Sequence, residues 1–161
     1  MSESILPLTT IRPDKGQIKG TAESEMELCC HPTYVKVNSL TVESDECGVD
    51  TIFDANKPFR VNSEIEFYGP GALALMALNV PIQVTYTAES YGPGIEAVIA
   101  EVRFNTSAGR LVYTAEATVA AGTLDGDKLY RISMLFRMGA EGTRLSIANG
   151  FISGILVQAY Q

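Results

Sequence analysis

The chain has 161 residues, 46% of them hydrophobic and 19% charged, with a net charge of −7. Those values suit one packed domain that needs neither disulfides nor a metal to hold its core, and they argue against a disordered chain. The acidic balance argues against a nucleic-acid or anionic-membrane partner, since both demand a basic face, and the longest apolar run, Ala72 to Leu78, is too short to cross a bilayer.

The charge is concentrated early, with ten acidic side chains against four basic ones in residues 1–54. Residues 1–22, punctuated by Pro7, Pro13, Gly16 and Gly20, predict an extended N-terminal arm, and residues 23–161 the folded domain. The opening Met1-Ser2-Glu3-Ser4-Ile5-Leu6-Pro7 has neither the basic nor the apolar region of a secretory signal, so a cytoplasmic location is expected. Glu23, Glu25 and Glu27 alternate with Met26 and Leu28, the pattern of a strand with one acidic face.

Cys29-Cys30-His31 with Cys47 is the densest group of potential zinc ligands. Adjacent side chains on a strand point to opposite faces, so this spacing does not suit one ion. Three cysteines also make no disulfide framework, and reduced thiols with no metal and no cofactor are expected. Thr33 to Val42 reads as a strand whose phase slips at Asn38-Ser39, predicting a bulge. Glu43, Asp45, Glu46, Asp50 and Asp54 then form an acidic loop of hard oxygen ligands, the kind that binds calcium in some β-sandwiches.

From residue 58 onward period-2 alternation dominates. Phe59, Val61, Ser63, Ile65 and Phe67 share one face of a strand. Ile82 to Glu89 repeats the pattern, as do Val98, Ala100, Val102 and Phe104, then Leu111 to Val119, then Tyr130 to Met138. A last strand is predicted from Phe151 to Tyr160. Between Tyr68 and Ile82, the short run Ala72 to Leu78 has helix-favouring alanine, leucine and methionine, but its brevity and flanking turns predict a buried strand or a single helical turn, of which the strand is preferred. Turn residues separate the runs, and Asp125-Gly126 and Asn149-Gly150 are dipeptides favoured in tight hairpins. The expected fold is all-β: a single antiparallel β-sandwich, immunoglobulin-like or jelly-roll in layout, with about eight strands.

Two stretches, Glu66 to Gly71 and Glu89 to Gly94, repeat the pattern Glu-x-Tyr-Gly-Pro-Gly. Gly-Pro-Gly cannot continue a ladder, so each copy predicts a turn with a tyrosine at its entrance. A meander would bring both turns to one end and make a binding rim of Tyr68, Gly69, Pro70, Gly71, Tyr91, Gly92, Pro93 and Gly94.

Catalysis finds little support. The chain has one histidine, no Gly-x-Ser-x-Gly elbow and no phosphate-binding loop with lysine and a following helix. Carboxylates such as Glu64 with Glu66, or Glu89 with Glu101, are equally what the polar face of a sheet looks like. The late strands are more telling, because they are apolar on both faces. Leu135, Ile152 and Leu156 lie opposite the predicted core face, and a lone sandwich keeps that side wet. The expected function is therefore a non-catalytic structural or interaction protein that forms a homo-oligomer through sheet surfaces and the N-terminal arm. The alternative is a module that binds calcium or a glycan at the tyrosine rim or the acidic loop.

Overall fold

The computed structural model describes residues 32–44, 48–49, 51–94, 96–139 and 146–161. The predicted arm, the alternation at 23–28, Cys29, Cys30, His31, Asp45, Glu46, Cys47 and Asp50 lie outside the described residues. Among the described residues of the unit Thr33–Gln161, nine strands and one helical turn follow in the order β1 (Tyr34–Ser44), β2 (Gly48–Val49), β3 (Ile52–Asp54), β4 (Phe59–Tyr68), α1 (Ala72–Met76), β5 (Pro81–Ser90), β6 (Glu96–Asn105), β7 (Val112–Val119), β8 (Lys128–Gly139) and β9 (Ser146–Tyr160). A four-stranded sheet has the order β2-β1-β4-β7 and a five-stranded sheet the order β3-β9-β8-β5-β6. Every pairing is antiparallel except β3 with β9.

The alternation read from the sequence is what closes the two sheets on each other. Along β4, Phe59, Val61, Ser63, Ile65 and Phe67 are buried while the residues between them stay half-exposed. Ile82, Val84, Tyr86 and Ala88 of β5 do the same in the opposing sheet, joined by Ile132, Met134 and Phe136 of β8. Each such large apolar side chain contributes about 1.5–3 kcal/mol by leaving water.

Layout follows from strand order. With β2 set aside, β1-β4-β7 packed against β9-β8-β5-β6 is the arrangement of immunoglobulin-like sandwiches, in which sequential strands switch sheets at the ends. Tyr130 adds a local hallmark of that layout. Near the start of β8, its hydroxyl accepts a hydrogen bond from the Asp125 amide (3.0 Å) and donates to the Asp125 carbonyl (3.3 Å), pinning the β7–β8 corner. One buried polar link crosses the interior: the Tyr86 hydroxyl donates to the Ala115 carbonyl (2.7 Å) and shares a 2.6 Å hydrogen bond with Ser63 Oγ. Burial pushes the Tyr86 phenol above its usual pKa, and the Ser63 bond works the other way.

The bulge predicted at Asn38-Ser39 is present, since the β1–β4 register shifts between Val37 and Ser39. Four expectations are corrected. Ala72–Met76 is a five-residue helix, as its alanine, leucine and methionine content allows, and it carries the chain from one sheet to the other. Asn149-Gly150 is no hairpin turn but sits inside β9, opposite Arg137 and Phe136. Asp125-Gly126 belongs to a corner between sheets rather than a hairpin. Val98 turns outward because Ile99 is an extra residue between the pairs Tyr86–Ala100 and Thr87–Val98.

Candidate functional site

The two Tyr-Gly-Pro-Gly segments are alike in conformation. Gly69 and Gly92 both hold left-handed backbone, with φ of 102° and 103°, so each copy needs glycine straight after its tyrosine. They do not form a shared rim. The first follows β4 and leads through α1 to the start of β5, whereas the second follows the end of β5. Turns separated by a single strand fall at opposite ends, and the ten residues of β5 place them roughly 30 Å apart.

Each tyrosine is occupied locally. Tyr68 stacks on Tyr34 across the β1–β4 pair, with ring centroids 5.2 Å apart. Tyr91 lies under the Arg131 guanidinium, 5.1 Å from its ring centroid, and accepts a hydrogen bond from it. Both rings remain about half exposed. The Tyr91 turn does share its end with the β7–β8 corner, because the Tyr91 amide donates to the Leu129 carbonyl (2.8 Å).

Of the acidic loop, the described carboxylates face cations of the same sheet or turn. Glu43 lies 3.5 Å from Arg60, and Asp54 lies 3.9 Å from Lys57 and accepts from the Asn56 amide (2.9 Å). The suggested carboxylate pairs resolve differently. Glu64 and Glu66 share a face and both accept from Asn38 Nδ2, at 2.8 and 3.0 Å. Glu89 stands opposite Glu96, not Glu101. Hydrogen bonds from Arg103 and Gln83 hold the Glu101 carboxyl below its usual pKa. Among the described residues, Arg60 Nε and Asn62 Oδ1 are buried polar atoms without a hydrogen-bond partner; Arg60 lines a small polar depression with Pro58, Phe59 and Thr118.

The outer face of the five-stranded sheet is different in character. Leu135 on β8 and Phe151 on β9 are cross-strand partners, 46% and 66% exposed. Leu129 and Leu156 are further exposed apolar positions toward one end, with Arg131 and Ser133 on β8 between them and that pair, and exposed Val98 lies on β6 of the same face. Leu135 and Leu156 therefore point outward as expected, but Ile152 packs against the core and Phe151 takes the outward place. The reason is a bulge. The β8–β9 register runs from Ile132–Ile155 to Met134–Ile152, so β9 carries one extra residue at Ser153-Gly154 and the phase inverts there. A Cβ on Gly154 would fall on the Ile132 carbonyl, so only glycine allows this approach. Ser-Gly inside an apolar run was the available signal for this inversion.

A shallow apolar groove opens between the starts of β1 and β9, about 120 Å³ in volume, with Tyr34, Val35, Phe67, Leu75, Met138 and Ile147 among its lining residues.

No family model matches this sequence, and no curated protein matches it. Among solved structures, the chain is similar to the C-terminal domain of Wzt, with 9% identity and a TM-score of 0.57 over 81% of this chain and 78% of that one. It also aligns with part of a β-glucosidase from Listeria innocua, at 10% identity and a TM-score of 0.43, over 82% of this chain and 16% of that chain. The first likeness agrees with an all-β sandwich.

Proposed function

We propose that this protein is a non-catalytic interaction module that self-associates, with the outer face of the five-stranded sheet as its contact surface. One observation carries this reading: Leu135 and Phe151 stand side by side across the β8–β9 pair and open to water. An antiparallel sheet face left to solvent ordinarily alternates to polar residues, and contiguous exposed apolar surface is characteristic of interaction sites. The carboxylates described above support the non-catalytic part, since Glu43, Glu64, Glu66, Asp54 and Glu101 are each engaged in ion pairs or hydrogen bonds that stitch strands and turns. Light scattering across micromolar concentrations tests the proposal. A particle of twice the chain mass of 17.4 kDa, dissociating on dilution, is expected. A chain that stays monomeric throughout overturns it.

A further inference from the structure

The charges on the outer face of the five-stranded sheet are left unbalanced at its two ends. At the Tyr91 end, Glu89 stands directly opposite Glu96 on β6, a like-charge pair that weakens the strand contact it sits on. The nearest cation, Arg131, is the other cross-strand neighbour of Glu89, but its guanidinium is turned to the Tyr91 ring and hydroxyl. At the opposite end Arg137 is exposed, and among the described residues it meets no carboxylate. On the four-stranded sheet the corresponding charges face each other, Lys36 with Glu66 and Arg60 with Glu43. The five-stranded face thus carries an unmatched cation beyond one end of the Leu135–Phe151 pair and unmatched carboxylates beyond the other.

We infer that a second copy of this chain lies face to face on this sheet, related by a two-fold axis that runs across the strands in the plane of contact. The inference rests on the self-association proposed above and specifies its geometry. Such an axis lays the strands antiparallel and exchanges their ends, so Arg137 of each copy meets Glu89 and Glu96 of the other. The spacing permits it. Glu89 pairs with Arg131, so on β8 the level halfway to Arg137 is that of Met134, next to Leu135. An axis at that level places the Leu135–Phe151 pairs of both copies beside each other at the centre, with the charges about 10 Å to either side. Glu89 lies one strand over from Arg137, a lateral step of about 4.8 Å that a long arginine side chain spans. The face is therefore complementary to itself, which is what a symmetric contact needs.

Two measurements on the full chain test this geometry. The first compares Arg137→Glu with a second variant carrying Glu89→Lys and Glu96→Lys, all at exposed positions, with circular dichroism to check that both fold. Each variant sets like charges against each other across the contact, and its association should weaken about tenfold or more. Mixed in equal amounts, the two variants complement each other at both ends, and the hetero-pair should recover the unaltered affinity. Net charge alone predicts the reverse for the lysine variant, because two such changes remove four negative charges from −7, leaving −3, and lessen repulsion. The second measurement needs no variant: association of the unaltered protein should weaken as sodium chloride is raised, because salt screens the crossed charges. Association that ignores salt, or variants that associate as tightly as the unaltered protein, overturns this geometry while leaving self-association itself intact. Variants that dissociate yet do not recover when mixed also overturn it, because the charges then act without crossing to a partner. An unaltered protein that is monomeric throughout removes this inference and the proposed function together.

Discussion

The two outer faces of the sandwich solve the same problem in opposite ways. On the four-stranded sheet, β1 and β4 bind their exposed side chains to each other: Asn38 bridges Glu64 and Glu66, Lys36 approaches Glu66 at 3.9 Å, and Arg60 meets Glu43. On the five-stranded sheet the outward positions are mixed: Gln83, Glu101, Arg131 and Arg137 are polar, but Leu129, Leu135, Phe151 and Leu156 stand among them exposed and offer water nothing to bond. Both faces come from strands of the same period and the same buried interior. The difference lies only in the residues that alternation leaves outside, and this is where a function other than folding is written.

The most damaging way to break the contrast is to remove what aims β9. Gly154→Ala puts a methyl group onto the Ile132 carbonyl, with no side chain that could move aside. Either the bulge is lost and Phe151 turns inward, or the strand separates from β8. We expect a loss of about 3 kcal/mol or more in denaturant unfolding. An unchanged unfolding midpoint would mean that this glycine does not set the phase.

That bulge also marks where the sequence stopped being legible. Every strand from β4 to β8 was foreseen within a few residues, because half-buried strands must alternate and the turns between them need glycine, proline, asparagine or aspartate. The slip at Asn38 was visible for the same reason, as a break in an otherwise regular pattern. In β9 both faces are apolar, so a change of phase at Ser153-Gly154 leaves no mark in the alternation, and Ile152 was assigned the place that Phe151 holds. The tyrosine rim failed on topology. A repeated turn motif reports local backbone, correctly in the case of Gly69 and Gly92, but carries nothing about which end of the sandwich it occupies. Asn149-Gly150 misled likewise: it is a good hairpin dipeptide, overridden by pairing along a long strand.

A sharper test exchanges the character of single positions on the two faces. Phe151→Glu places a charge at the centre of the apolar pair, and we expect self-association to weaken roughly 100-fold, about 2.7 kcal/mol. Phe151 is 66% exposed, so folding stability should change by no more than about 0.5 kcal/mol. The matching change on the other face, Glu64→Gln, should leave association untouched. Sedimentation velocity reads all of this, and equal effects from both substitutions would erase the distinction between the faces.

Between the faces, Tyr86 is the polar pin, and its removal separates interior from surface effects. Tyr86→Phe leaves Ser63 Oγ and the Ala115 carbonyl buried without that hydroxyl, at a cost of about 1–3 kcal/mol. The pH dependence has a definite sign. Because burial holds the folded-state phenol above its unfolded value, the contribution is fully present below the unfolded pKa and is lost as pH rises through the folded one. Unfolding measured against alkaline pH should therefore show a decline in the unaltered protein that is shallower in Tyr86→Phe. Association at neutral pH should not respond.

The smallest effect belongs to the ion pairs of the polar face, and it defines the lower limit of the comparison. Glu43 and Arg60 face each other at 3.5 Å with side chains 26% and 42% exposed, so water and salt screen most of their attraction. Glu43→Gln should cost about 0–1 kcal/mol, measured by denaturant unfolding at low ionic strength, and less as salt is raised. The substitution keeps the shape of the side chain and removes only its charge, so any stability loss that persists in high salt would have to come from hydrogen bonding rather than from the pair's Coulomb attraction. In either case the oligomeric state should stay as it is. If neutralising Glu43 instead loosened the assembly, the charged face would be part of the contact and the division of labour between the two sheets would fall.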